Sequence, residues 1–138
     1  MTDSMPTAAE LLGSRRRVLV TGGAGFIGGA VVRRLLKESE AIVFNLDKMG
    51  YASDLTSIEA VLSELGEGAE QRHVLQRVDL ADAEAVREAV KAADPDLVMH
   101  LAAESHVDRS IEGPGVFIES NVTGTYNLLQ AVREHVEG

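Results

Sequence analysis

Cysteine and tryptophan are absent from the 138 residues, and only two tyrosines, three phenylalanines and three prolines occur. Without cysteine there is neither a disulfide framework nor a thiolate metal site, and no metal is expected. No stretch reaches the roughly 18 apolar residues of a membrane span. Met1 to Ser14 also lacks the apolar run of a signal peptide, so no membrane association and a cytoplasmic location are expected. Basic residues are scarce: 13 Lys and Arg stand against 22 Asp and Glu, a formal net charge of −9. That balance disfavours nucleic acid, whose phosphates need cations. The one basic cluster, Arg15-Arg16-Arg17, reads as a solvated lead-in to a strand. The length suits a single domain with a real core and is small for a complete two-domain enzyme.

What is present is a regular alternation of strand and helix patterns. Strands are expected at about 17–21, 41–46, 74–78 and 97–101. Helices are expected at about 26–37, at 55–65 (Leu55, Ile58, Leu62 and Leu65 at helical spacing), from Asp82 to Asp94, and at 116–136. Gly66 and Gly68 end the second helix, and Asp82 is a plausible N-cap for the third, with Ala85, Val86, Ala89 and Val90 inward. Asp94-Pro95 breaks that helix. The last helix would carry Ile118, Val122, Thr125, Leu129 and Val132 on one stripe. Residues 1–15 read as a flexible tail or a loose turn of helix around 8–12, and 16–138 as the folded unit. The fold class is therefore α/β: four βα units forming a parallel sheet with helices on both faces. With right-handed crossovers the expected strand order is 3-2-1-4. The fourth strand, almost wholly apolar, then lies at an edge, where it should associate with a second copy or a partner.

The first strand runs into Thr21-Gly22-Gly23-Ala24-Gly25-Phe26-Ile27-Gly28, a glycine-spaced turn that opens a helix. Gly22 would turn the chain off the strand, Gly25 would admit phosphates to the backbone, and Gly28 would let helix pack on sheet. The amides near Phe26 and Ile27, lacking intrahelical acceptors, would form an anion site for a dinucleotide pyrophosphate. A purely steric glycine turn is the alternative. Asp47 ends the second apolar run 19 residues after Gly28, near the interval of about 20 at which a carboxylate binds the adenosine ribose. It would repel a 2′-phosphate and so favour NAD over NADP, whereas Lys48 pulls the other way. Its bland reading is a polar residue closing a strand.

The fourth strand continues into Leu101-Ala102-Ala103-Glu104-Ser105-His106-Val107-Asp108-Arg109-Ser110, on the side where a doubly wound sheet binds ligands. Small Ala102 and Ala103 would let a cofactor lie across the backbone. Alternatively Asp108 pairs with Arg109, and His106 caps or packs. His100, inside the strand, reads as a satisfied core histidine.

The segment 101–111, together with 21–28 and Asp47-Lys48, resembles the dTDP-glucose 4,6-dehydratases of the extended short-chain dehydrogenase/reductase family. Asn121, Gly124 and Thr125 fit the same pattern, and the resemblance runs over about residues 17–136. The glycine motif is common to the superfamily, whereas Ala-Ala-Glu-Ser-His-Val-Asp-Arg-Ser-Ile is far more specific. The resemblance implies NAD as cofactor, with its pyrophosphate at Phe26 and Ile27 and its ribose at Asp47. Lys48, Met49 and Gly50 would line the adenosine side, and Asp79 and Leu80 would flank the adenine. Leu101, Ala102, Ala103, Glu104 and Ser105 would line the path to the nicotinamide. Ser120 stands at a cofactor contact that is usually Thr, and Ser105 would also touch the nucleotide-sugar substrate. Gly50 and Ser53-Asp54 depart from the usual Thr and Gly-Asn, and the segment between Asp54 and His73 looks longer than usual.

In that family a Tyr-x-x-x-Lys pair abstracts the sugar hydroxyl proton as hydride passes to NAD, and a Thr-Asp-Glu segment drives loss of water. Neither is present here: four residues beyond Tyr51 and Tyr126 stand Leu55 and Gln130. No catalytic residue is assigned. Three readings follow: the cofactor half of a nucleotide-sugar dehydratase, inactive alone; a stand-alone NAD-binding or regulatory module; and one subunit of a split enzyme.

Overall fold

The computed structural model describes residues 6–49, 54–102 and 122–137. Four parallel strands, β1 (Arg17–Thr21), β2 (Ile42–Leu46), β3 (His73–Gln76) and β4 (Leu97–His100), form one sheet in the order β3-β2-β1-β4. Both the parallel sheet and its order agree with the sequence analysis. The helices are α1 (Ala8–Leu12), α2 (Phe26–Glu38), α3 (Thr56–Leu65), α4 (Ala83–Ala93) and α5 (Gly124–Glu137), with a 3₁₀ turn at Ala69–Arg72. Among the described residues no helix is long and apolar enough to cross a membrane.

The alternation of side chains along the strands divides the core into two layers. Val18, Val20 and Val43 point to the face covered by α1, α2 and α3, where they meet Val32, Leu35, Leu36 and Ile58. Leu19, Phe44 and Leu46 point to the other face and meet Val86, Ala89 and Val90 of α4 and Leu128 and Ala131 of α5. β1 and most of β2 are thus buried on both sides, which is why their sequences read as continuous apolar runs. Asp82 caps α4 as expected, its carboxylate accepting from the Ala85 amide at 3.1 Å. The left-handed Asp94 ends that helix.

The short helix at 8–12 is present and docked. Thr7 and Glu10 form a reciprocal capping box, and the Ala8 amide donates to Glu38 of α2 at 2.9 Å. Ala8 and Leu12 are buried in the first core layer. Leu12→Ala is expected to lower the unfolding free energy by about 2 kcal/mol. A urea titration followed by circular dichroism measures this, and a loss below about 0.5 kcal/mol would mean that α1 adds nothing to the core.

The stripe expected on the last helix is corrected. Val122 and Leu129 are both 64% exposed, and the buried face is Gly124, Asn127, Leu128 and Ala131, with Thr125 and Val132 half-buried. The reason lies in the surface it meets. A Cβ at Gly124 would come within 3.0 Å of the Leu80 Cβ, so the first turn of the helix lies close on Leu80, while Leu128, one turn on, fills the second core layer. The Asn127 amide donates to the Leu80 carbonyl at 2.7 Å, which orients that close face. Ile118 lies outside the described residues.

Candidate functional site

The site is built beyond the carboxyl ends of the paired strands β1 and β4, at the point of strand-order reversal. β1 ends at Thr21 and the chain turns at Gly22, whose φ of +75° favours glycine. A Cβ there would also sit 2.7 Å from the Ala102 Cα, so the turn after β1 and the segment after β4 touch backbone to backbone. At Gly28 a Cβ would overlap the Gly22 carbonyl, 2.6 Å from its carbon. The start of α2 therefore lies directly on the turn. Gly25 differs: an added Cβ would meet only the Gly22 oxygen, at an ordinary 3.4 Å. That glycine is not required by internal packing, which leaves room for a ligand approaching the backbone.

Gly25 is the N-cap of α2 and offers no side-chain acceptor, and no acidic residue stands in the first turn. The Phe26 and Ile27 side chains are 94% and 66% exposed and fold away from the core. The helix end thus presents its first amides, with the positive end of a 13-residue helix dipole, to an incoming anion.

Asp47 follows β2 and is buried. Its Oδ2 accepts from the Ala24 amide at 3.0 Å, and its Oδ1 accepts from the Met49 amide at 2.7 Å. One carboxylate thus braces the glycine turn and the segment after β2 together. Met49 takes a left-handed φ of 59°, uncommon for a non-glycine residue. Asp79 accepts from the Ala81 amide at 3.0 Å and shapes the turn after β3, and Leu80 is half-buried beneath α5. Lys48 is exposed beside Asp47. Leu101 and Ala102 lie against Gly22. Gly50, Ala103, Glu104, Ser105 and Ser120 lie outside the described residues, as do His106, Asp108 and Arg109.

Three features are set by tertiary contacts. Thr21, fully buried, accepts from the Leu101 and Ala102 amides and contacts His100. Gly23 must lack a side chain because a Cβ would lie 2.8 Å from the Asn45 Nδ2. Asn45 is itself fully buried, with its Nδ2 3.2 Å from His73 Nε2. A lone polar residue within each buried strand was the available signal. His100 is satisfied on both ring nitrogens, by Thr21 and Thr125. Burial pushes the His100 imidazole below its usual pKa, and does the same at His73 against an opposing pull from Glu59. Among the described residues no group of three His, Asp or Glu side chains is placed to hold a metal ion.

Residues 19–138 match the family model for GDP-mannose 4,6 dehydratase. The chain belongs to that family. Its relatives include the dTDP-glucose 4,6-dehydratase of Salmonella typhimurium, 47% identical over 119 residues. The match covers 86% of this chain and 31% of the relative. dTDP-glucose 4,6-dehydratase 1 of Escherichia coli K12 is 48% identical over the same length. Among solved structures, the dTDP-glucose 4,6-dehydratase DesIV of Streptomyces venezuelae, with NAD bound, superposes with a TM-score of 0.71 at 40% identity. That likeness covers 86% of this chain and 36% of DesIV. The UDP-glucose 4-epimerase of Thermus thermophilus, in complex with NAD, gives 0.68 at 37% identity, covering 86% and 34%. The chain therefore spans about a third of the length of the family members it matches.

Proposed function

We propose that these residues form the NAD-binding part of a cytoplasmic dTDP-glucose 4,6-dehydratase, which converts dTDP-glucose to its 4-keto-6-deoxy product with loss of water. NAD, when bound, would supply the hydride acceptor and donor for that chemistry. The observation that carries the reading is the Asp47 carboxylate bonded to the Ala24 amide, because it ties the acidic residue at the tip of β2 to the glycine turn that opens α2. Gly25 and the amides of Phe26 and Ile27 would hold the pyrophosphate, and Asp47 the adenosine ribose. Lys48, Met49 and Gly50, with Asp79 and Leu80, would enclose the adenosine. Leu101, Ala102, Ala103, Glu104, Ser105 and Ser120 would line the route to the nicotinamide, with Ser105 also reaching the sugar nucleotide.

The residues fit such a ligand. The turn is free of side chains where backbone approach is needed, the helix end is uncapped, and the carboxylate stands at the tip of the neighbouring strand. The proton-abstracting Tyr-x-x-x-Lys pair is not among the 138 residues. Turnover therefore needs polypeptide beyond them, and the chain by itself binds without converting substrate. β4 pairs with β1 only, among the described strands, and its residues stay half-buried. A further strand, from that polypeptide or a second copy, would complete this edge.

Calorimetric titration of the 138-residue chain with NAD, with NADP as control, tests the proposal. Saturable binding of NAD, weaker for NADP, is the expected result. Binding of neither would overturn the cofactor role, and formation of the 4-keto-6-deoxy product by this chain alone would overturn its dependence on further residues.

A further inference from the structure

Three side chains from three elements meet under the crevice. Thr21 ends β1, His100 ends β4 and Thr125 stands in the first turn of α5. Thr21 Oγ1 is 2.6 Å from His100 Nδ1, and His100 Nε2 is 2.9 Å from Thr125 Oγ1. The amides of Leu101 and Ala102 donate to Thr21 Oγ1 at 2.9 and 3.1 Å.

Counting hydrogens determines the direction of every bond. A hydroxyl has one proton and two acceptor positions. Both amides point at the Thr21 hydroxyl oxygen, the Leu101 amide being shared with the Thr21 carbonyl at 3.1 Å, so the hydroxyl proton is donated to His100 Nδ1. That nitrogen must then be unprotonated, and the neutral ring carries its hydrogen on Nε2 and donates it to Thr125. The opposite tautomer would point a third hydrogen at an oxygen already approached by two amides, and would leave the Thr21 proton without an acceptor on the ring.

We infer that His100, as the neutral Nε2–H tautomer, is a positioning residue for the cofactor crevice: it orients the Thr21 hydroxyl so that this oxygen clamps the Leu101 and Ala102 backbone against Gly22. The inference rests on the NAD-binding reading for its functional consequence. Its structural content is independent of that reading. The clamp matters because Ala102 lies where the two loops touch backbone to backbone, so a released amide opens the crevice wall. Through Thr125 the same ring ties the wall to α5. Burial, which lowers the imidazole pKa, keeps the ring in the neutral form that the bonding requires.

The chain itself supplies the test. Long-range nitrogen–proton correlation spectra of the imidazole are expected to show a neutral ring protonated at Nε2. In His100→Leu the Thr21 hydroxyl loses its acceptor, and amide exchange at Ala102 is expected to accelerate about tenfold, while Leu101, which keeps its bond to the Thr21 carbonyl, and the β1 amides stay protected. NAD affinity is expected to fall about tenfold in the same variant. His100→Asn, whose side-chain oxygen can replace Nδ1 as acceptor, is expected to restore both. A ring protonated at Nδ1, or unchanged exchange in His100→Leu, would overturn the inference. Should His100→Leu fail to fold, the tautomer in the wild-type chain and the exchange rates in His100→Asn still decide it. If the wild-type chain binds no NAD while the exchange results hold, the clamp stands and the cofactor reading fails. If NAD binds and His100→Leu neither speeds exchange nor weakens binding, the clamp fails and the cofactor reading stands.

Discussion

Gly28→Ala is expected to destabilise the chain by about 3 kcal/mol, the upper part of the range for forced overpacking, while Gly25→Ala leaves it folded and weakens NAD binding. The contrast follows from what each new methyl would meet. At Gly28 it overlaps the Gly22 carbonyl and lies 3.0 Å from the Gly23 Cα, both backbone atoms that cannot rotate away. Relief requires lifting α2 off the turn, and with it the contacts of Val32, Leu35 and Leu36 in the first core layer. At Gly25 the methyl meets one oxygen at 3.4 Å, and the φ of −85° suits any residue. The cost there is that of a poorer N-cap, about 1 kcal/mol or less. The methyl instead projects where a pyrophosphate would approach the helix end, so NAD affinity should drop by at least about tenfold, about 1.4 kcal/mol. Urea unfolding and NAD titration on both variants separate the two roles. A Gly25→Ala chain that binds NAD as well as the wild type would remove the pyrophosphate from this turn.

Asp47→Ala is the second large effect. The carboxylate holds the Ala24 and Met49 amides at 3.0 and 2.7 Å from a buried position. Truncation leaves those amides without this acceptor and removes the group proposed for the ribose hydroxyls. Hydrogen bonds to a charged group contribute about 1.5–3 kcal/mol each. NAD affinity should therefore fall about 30-fold or more, or about 2 kcal/mol. The ratio of NAD to NADP affinity should fall as well, because the charge that repels a 2′-phosphate is gone while Lys48 remains. Parallel titrations with both nucleotides measure this. An unchanged ratio would assign Asp47 to bracing the turn and leave nucleotide selection to other residues.

Much of this arrangement can be read from local pattern. Val18 to Val20 and Val43 to Leu46 announce buried parallel strands, because both faces of such strands are covered. The glycines of 22–28 mark a turn whose geometry is local, and Asp82 caps α4 through a residue three positions on. The interval from Gly28 to Asp47 is a property of a single βα unit. The sheet order then follows from crossover handedness, a general rule of chain geometry.

Other features depend on residues that approach only in the folded chain. On α5 the apolar residues lie on more than one face, so periodicity alone cannot choose between Leu128 and Leu129. The choice is made by packing: Gly124 lies close on Leu80, and Leu128 enters the second core layer, which leaves Leu129 outside. Whether residues 8–12 would dock was settled by Glu38, about 30 positions away, which receives the Ala8 amide. Asn45 and Gly23 explain each other only when β2 lies beneath the turn. Thr21 and His100 are 79 residues apart. The sequence by itself determined the βα alternation, the glycine turn and the acidic residue that follows it, since hydrophobic period and backbone freedom act over a few residues. Tertiary structure alone decided which polar groups are satisfied, and by whom, because a buried hydroxyl or imidazole takes its partner from whichever strand packing brings within about 3 Å.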